Sequence, residues 1–144
     1  MNITFIKTPE DIAKAFEAMK ELRPHLKDKA SFVEQIQKQQ NQAYFLVGIL
    51  EGDQTAACLG FRLMTTLAWG NIMYIDDLVT RAQSRGKGYA GELLMYAIAQ
   101  AGAFGCDQIH LDTGYTRHDA HRVYLQHGFK MNSHHLSLDL KDKN

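Results

Sequence analysis

Proline is almost missing from this chain, at Pro9 and Pro24 only, and cysteine is as scarce, at Cys58 and Cys106. Two cysteines in apolar, strand-like surroundings make neither a disulfide framework nor a metal motif, which points to a reducing compartment. No sign of charge is in excess: 16 basic and 16 acidic side chains cancel. Recognition of nucleic acid or an anionic membrane through the overall field is thereby excluded, and any electrostatic recognition is local. Long apolar runs are missing too. No window approaches the ~20 residues of a membrane span. The start, Met1-Asn2-Ile3-Thr4-Phe5-Ile6-Lys7, lacks the basic region and long apolar stretch of a secretory leader. The expectation is a soluble, cytoplasmic protein with neither nucleic acid nor membrane as a partner. No repeat or linker divides the chain, so 1–144 reads as one domain, long enough to bury roughly 68–70% of its unfolded surface.

What is present is a sequence of alternating strand and helix signals. Asn2 to Lys7 reads as a short strand. Thr8-Pro9-Glu10-Asp11 supplies an N-cap, a proline at the first helical position and an acid three residues past the cap. Ile12, Ala15, Phe16, Met19 and Leu22 then recur at helical spacing until Pro24. Ser31-x-x-Glu34 repeats the capping signature for a second, shorter helix, whose glutamine-rich exit, Gln37 to Gln42, should fray. Two apolar runs, Ala43 to Leu50 and Thr55 to Met64, flank Glu51-Gly52-Asp53-Gln54 and predict a hairpin. Asn71 to Thr80 is a further strand with Asp76 and Asp77 in its middle, an unusual place for acids unless they lie at a bulge or on a solvated face. Ala90 to Phe104 carries the apolar stripe of a long helix, and 108–113 is the next strand, parallel to 71–80 because a crossover helix joins them. A helix from about Asp119 to His127 and a last strand from Phe129, with Leu136, Leu138 and Leu140 alternating, complete the pattern.

The junction between strand 71–80 and the long helix concentrates the chemistry. Gln83-Ser84-Arg85-Gly86-Lys87-Gly88-Tyr89-Ala90-Gly91 sets two glycines around a lysine at a helix start. Glycine lets backbone approach a ligand, and the first helical turn offers free N–H groups at the positive end of its dipole. That is an anion site, most simply for a phosphate or pyrophosphate. Gly86-x-Gly88-x-x-Gly91 also satisfies the dinucleotide fingerprint, but six residues, Thr80 to Arg85, separate the strand from the first glycine, where that fold allows a tight turn. The ATP-binding pattern G-x-x-x-x-G-K-[ST] fails because Gly88, neither serine nor threonine, follows Lys87.

Gln83-x-x-Gly86-x-Gly88 resembles the acetyl-coenzyme A loop of the GNAT superfamily of N-acetyltransferases. A second block, Ala120-x-x-x-Tyr124 followed by Gly128-Phe129, resembles that superfamily's late motif, with Arg117 where an asparagine is common. The resemblance implies an α/β (α+β) fold: a mixed, mostly antiparallel central sheet, helices on both faces, and a splayed parallel strand pair. It implies acetyl-coenzyme A as co-substrate. The pantetheine arm is expected to pair with backbone near Leu78 and Val79, and the pyrophosphate to lie on Arg85, Gly86, Lys87, Gly88, Tyr89 and Ala90, with Gly91 serving helix packing.

Acetyl transfer to an amine needs a base, a place for the oxyanion and a proton for the departing thiolate. By the same resemblance Asp76 ranks first as base, working through water, and Asp77 second, ahead of His110 and Asp112. Tyr124 falls on the proton-donor tyrosine, whose phenol, of ordinary pKa about 10, stays protonated at neutral pH. The oxyanion is assigned to backbone N–H near Val79. Acids at the acceptor side favour a cationic amine, on a small molecule or a protein lysine. Cys58 and Cys106 read as small buried hydrophobes, and the seven histidines lack the spacing of a metal site, so no metal is expected. The competing reading is a non-catalytic acyl-coenzyme A sensor of the same fold. Leu136 to Leu140 permit a homodimer.

Overall fold

The structure, a computed structural model, describes residues 2–141, which form two compact units, one up to Leu111 and one from Asp112 onward. The first unit is a five-stranded sheet with its strands in chain order: β1 (Ile3–Phe5), β2 (Tyr44–Glu51), β3 (Gln54–Thr66), β4 (Gly70–Thr80) and β5 (Gln108–Leu111). The first four pair antiparallel, and only β4 and β5 run parallel. The expected mixed sheet and hairpin are therefore present.

The first helical stretch begins as its capping signature predicts, with Thr8 Oγ1 accepting from Asp11 N at 3.2 Å. It does not run through: α1 (Pro9–Lys14) and α2 (Phe16–Leu22) meet at Ala15, whose N–H bonds back only to the preceding turn, on Ile12 O at 3.0 Å. The tightening at Ala15 keeps Ile12, Phe16 and Met19 all turned to the core. α3 (Lys29–Gln40) starts three residues earlier than expected. Asp28, not Ser31, is the capping residue, its Oδ1 accepting from Ser31 N at 2.8 Å. The glutamine-rich exit stays helical through Gln40, whose Nε2 reaches across to donate to Ile6 O at 3.1 Å, and Asn41 and Gln42 form a turn.

These three helices cover one face of the sheet, where Ile12, Phe16, Met19, Phe32 and Ile36 pack on Tyr44, Leu46, Cys58 and Val79. α4 (Tyr89–Ala103) is the crossover between β4 and β5 and lies against β3, β4 and β5, burying Leu93, Leu94, Ala97 and Ala101. Among the described residues no helix is long and apolar enough to cross a membrane.

The second unit holds α5 (His118–Gln126), in which Tyr124 is buried and packs on Phe129 with ring centroids 5.8 Å apart. The strand expected from Phe129 onward does not form. Residues 130–140 have no regular structure, and Leu136, Leu138 and Leu140 are exposed. Alternation alone makes a strand only where an edge pairs with it, and no ladder among the described residues includes this segment.

Candidate active site

The acids of β4 sit at a register shift. Gly60 pairs with Asp77 and Phe61 with Ile75, so Asp76 is the extra residue of a bulge. Pairing with β5 stops at the same level, since the last partners are Ile75 and Leu111, while β4 runs on to Thr80. The end of β4 thus keeps an unpaired edge among the described residues. Backbone alternation decides which groups line it. Arg81 N bonds Ala56 O on β3 at 2.8 Å, so by the two-residue period Val79 also turns its N–H to β3, while Leu78 and Thr80 turn theirs to the open edge. Of the two residues expected to offer backbone here, Leu78 does and Val79 does not.

The two aspartates have different surroundings. Asp77 is held twice: Oδ1 accepts from Arg23 Nε at 3.1 Å and Nη2 at 2.9 Å, and Oδ2 accepts from Tyr44 OH at 2.8 Å. Arg23 Nη2 also donates to Asp76 O at 2.8 Å. The Asp76 carboxylate accepts at Oδ2, from Arg62 Nε at 2.8 Å, and its Oδ1 is buried with no hydrogen-bond partner among the described residues. Burial pushes the Asp76 carboxyl above the usual aspartate range, against the pull of Arg62. The Tyr44 phenol is pushed up as well, by burial and by Asp77. Two arginines therefore balance the two acids, and the acids do not present the bare negative charge that favoured a cationic acceptor. Gly60 makes room for this cluster: a Cβ there would stand 1.9 Å from Tyr44 OH.

From Thr80 the chain passes through a 3₁₀ turn (Ala82–Ser84) into the glycine loop. Gly86 and Gly88 have φ of +83° and +81°, left-handed values that glycine adopts without strain, and a Cβ built on either would meet nothing within 4 Å. The loop is open above both. Gly88 is the N-cap of α4 and has no side chain to cap with; the first helical bond is Glu92 N to Gly88 O, so the N–H groups of Tyr89, Ala90 and Gly91 have no helical acceptor. Open space, left-handed glycines and an uncapped 15-residue helix fit a diphosphate. Arg85 is exposed beside them. Lys87 is not free: Nζ is 2.6 Å from Glu51 Oε2. Tyr89 likewise turns its phenol to Glu51 Oε2, at 2.6 Å, and leaves only backbone to the loop.

Tyr124 belongs to the second unit, where burial holds its phenol above its ordinary value while Arg117 pulls the other way. Arg117 occupies the N-cap of α5 and forms no side-chain cap, a bond that an asparagine there could supply. His110 is satisfied by Gln108, 2.7 Å away, and packs at a tilt on Trp69, as a structural histidine does. Asp112 pairs with His135 at 3.0 Å. Cys58 is fully buried and its thiol is pushed up by desolvation.

Arg23, Tyr44, Arg62 and Glu51 were not marked as site residues from the sequence. Arg62 could have been, because a lone cation in the apolar run of β3 faces a strand with two unexplained acids. Glu51 gave no such signal, since a glutamate before a Gly-Asp turn is ordinary.

The Acetyltransferase (GNAT) family profile matches residues 10–129. An uncharacterized N-acetyltransferase of Bacillus subtilis (strain 168), YhdJ, is 32% identical over 131 residues, 90% of this chain and 92% of that protein. Among solved structures, a transcriptional regulator from Bacillus halodurans C-125 superimposes with a TM-score of 0.84 at 23% identity, covering 96% of this chain and all (100%) of that one. A ribosomal-protein-alanine N-acetyltransferase from Brucella melitensis biovar Abortus 2308 does so with a TM-score of 0.82 at 14% identity, covering 97% and 100%.

Proposed function

This chain belongs to the acetyltransferase (GNAT) family, and we propose that it transfers an acetyl group from acetyl-coenzyme A to a primary amine of a small molecule or protein by direct attack in a ternary complex. The observation that carries this reading is the continuity of β4, loop and α4. One stretch of chain supplies the unpaired edge at Leu78 and Thr80, the open glycine loop, the uncapped helix start, and Asp76 at the bulge.

Acetyl-coenzyme A supplies the thioester, and the chain supplies everything else. Leu78 and Thr80 offer backbone to an extended arm, and the Leu78 N–H, rather than that of Val79, is the donor suited to the oxyanion. Gly86, Lys87, Gly88, Tyr89 and Ala90 present backbone N–H to the pyrophosphate, with the exposed Arg85 as a cation for its charge. Asp76 is the base of choice over Asp77, because it retains an unused oxygen and a raised pKa, both of which suit a group that must take a proton from an ammonium through water. Tyr124 is assigned the proton donation to the thiolate by its place in the late motif, and its elevated pKa keeps the phenol protonated at neutral pH. The cytoplasm is the compartment in which this co-substrate and two free thiols fit together.

Calorimetric titration with acetyl-coenzyme A, with NAD in parallel and Gly86→Glu as the loop variant, tests the reading. Binding of acetyl-coenzyme A alone, lost in Gly86→Glu, is expected, followed by thiol release when amines are screened. Binding of NAD only, or of neither ligand, would overturn it.

A further inference from the structure

The glycine loop is held by a residue from outside its own motif. Glu51, the last residue of β2, receives three hydrogen bonds from the loop segment: Ser84 Oγ donates to Oε1 at 2.5 Å, and Lys87 Nζ and Tyr89 OH donate to Oε2, each at 2.6 Å. These donors stand before, between and after Gly86 and Gly88. Two of them, Ser84 and Tyr89, are buried residues. On the other side Glu21 of α2 accepts from Ala82 N at 2.8 Å and from Arg81 Nε at 3.3 Å. Among the described residues nothing comes within 4 Å of where a Cβ on either glycine would stand, so the fixed points of this segment are the anchors that flank the glycines. A segment with two glycines has much freedom to lose on binding, and fixing it in advance removes that cost from the ligand.

We propose that Glu51 is a positioning residue for the anion-binding loop: its carboxylate, presented by the β2–β3 turn, preorganises residues 84–89 to receive the pyrophosphate of coenzyme A. The proposal rests on the acetyltransferase reading. A carboxylate beside an anion site is at first sight unfavourable, but Lys87 balances it, and the exposed charge is screened by solvent and salt. Loss of three converging acceptor contacts counts for more than removal of one balanced charge. The three donors also hold the Glu51 pKa down, to about 2, so the carboxylate is ionised at any working pH.

The test is the affinity of the full chain for coenzyme A, by calorimetry, and for S-acetylpantetheine, which lacks the pyrophosphate, by NMR titration. Glu51→Ala should weaken coenzyme A about tenfold, as the loop's ordering passes to the ligand, and leave S-acetylpantetheine within about twofold, because the open edge of β4 is untouched. Glu51→Asp, which keeps the carboxylate, should recover most of the loss. Should Glu51→Ala fail to fold, the double variant Ser84→Ala/Tyr89→Phe removes two donors with Glu51 in place and should reproduce the selective loss. Unchanged or tighter coenzyme A binding overturns the proposal, and so does an equal loss for both probes, the mark of a general lesion. A wild-type chain that binds neither probe overturns the acetyltransferase reading instead, and this proposal with it.

Discussion

Two adjacent aspartates on one strand would be interchangeable if sequence position decided their roles, but their partners separate them. Asp77 has both oxygens engaged, by Arg23 and Tyr44, and holds α2, β2 and β4 together. Asp76 has one oxygen engaged and one buried without a partner among the described residues. Asp76→Asn is therefore expected to lower kcat/KM by about 10²-fold, the lower end of what a positioned base contributes, with little change in melting temperature. Asp77→Asn should lower the melting temperature and cost a smaller part of the rate, since it weakens a tie between elements more than it touches the chemistry. Steady-state kinetics and thermal melts of the two variants check this; a larger rate loss for Asp77→Asn would exchange their roles. The pH profile gives a second check. A base acts only when ionised, and burial raises the Asp76 pKa, so the acid limb of kcat/KM should lie above the ordinary aspartate value of 3.8 and disappear in Asp76→Asn. Tyr124 acts protonated and is raised above 10.0, so the alkaline limb it sets lies above that value.

At the scale of the element, the bulge in β4 depends on a residue in the neighbouring strand. Gly60 lies opposite Asp77, and its missing Cβ is the space that the Tyr44 phenol fills on the way to Asp77. Gly60→Ala should destabilise the fold by about 1–3 kcal/mol, the range for overpacking a tight core, and lower turnover as well, because Tyr44 can yield only by leaving Asp77. Denaturant unfolding with turnover measured on the same sample tests the coupling; lost stability with full turnover would show that the Tyr44–Asp77 bond is dispensable. The sequence made the strand–loop–helix order around Gly86 and Gly88 legible because the glycines, the apolar stripe from Leu93 to Ala101 and the flanking strands are all local signals. It marked Asp76 and Asp77 as unusual for the same reason. Gly60, Tyr44 and Glu51 were silent, since each matters only through a side chain brought up by a distant part of the chain, whereas Arg62 stood out as a lone cation in an apolar run. The tail from Phe129 misled for the opposite reason: its leucines alternate, yet the pairing partner that would turn alternation into a strand is not a local property.

At the scale of the whole molecule, equal numbers of acids and bases give a net charge of zero, so global repulsion is small at neutral pH and stability follows particular pairs. The Glu51–Lys87 pair sets its own window. Glu51 is depressed from 4.5 to about 2 by Lys87, Ser84 and Tyr89, so it contributes stability that is complete above 4.5 and lost as pH falls through about 2. Lys87 is raised above 10.5 by Glu51, so its contribution is complete below 10.5 and lost as pH rises through the higher folded value. Asp28, depressed by its capping bonds to Ser31, adds to the acid limb with the same sign as Glu51. Asp76, raised, opposes them, since its protonated form is the one the fold prefers. Two depressed carboxylates against one raised one, with the buried Cys58 thiol raised above 9.0, predict a melting temperature that is level from about pH 5 to pH 8, falls between 4.5 and 2, and falls again above 9.0, where the thiol ionises in the unfolded chain before it does in the folded one. In Glu51→Gln the fall in that acid window should become shallower, and added salt should narrow the difference from wild type, because the pair is exposed. Melting curves across pH at low and high salt decide it. An acid limb of unchanged depth in Glu51→Gln would mean that Glu51 does not hold the loop in the folded chain, and the preorganisation argued for the anion site would lose its physical basis.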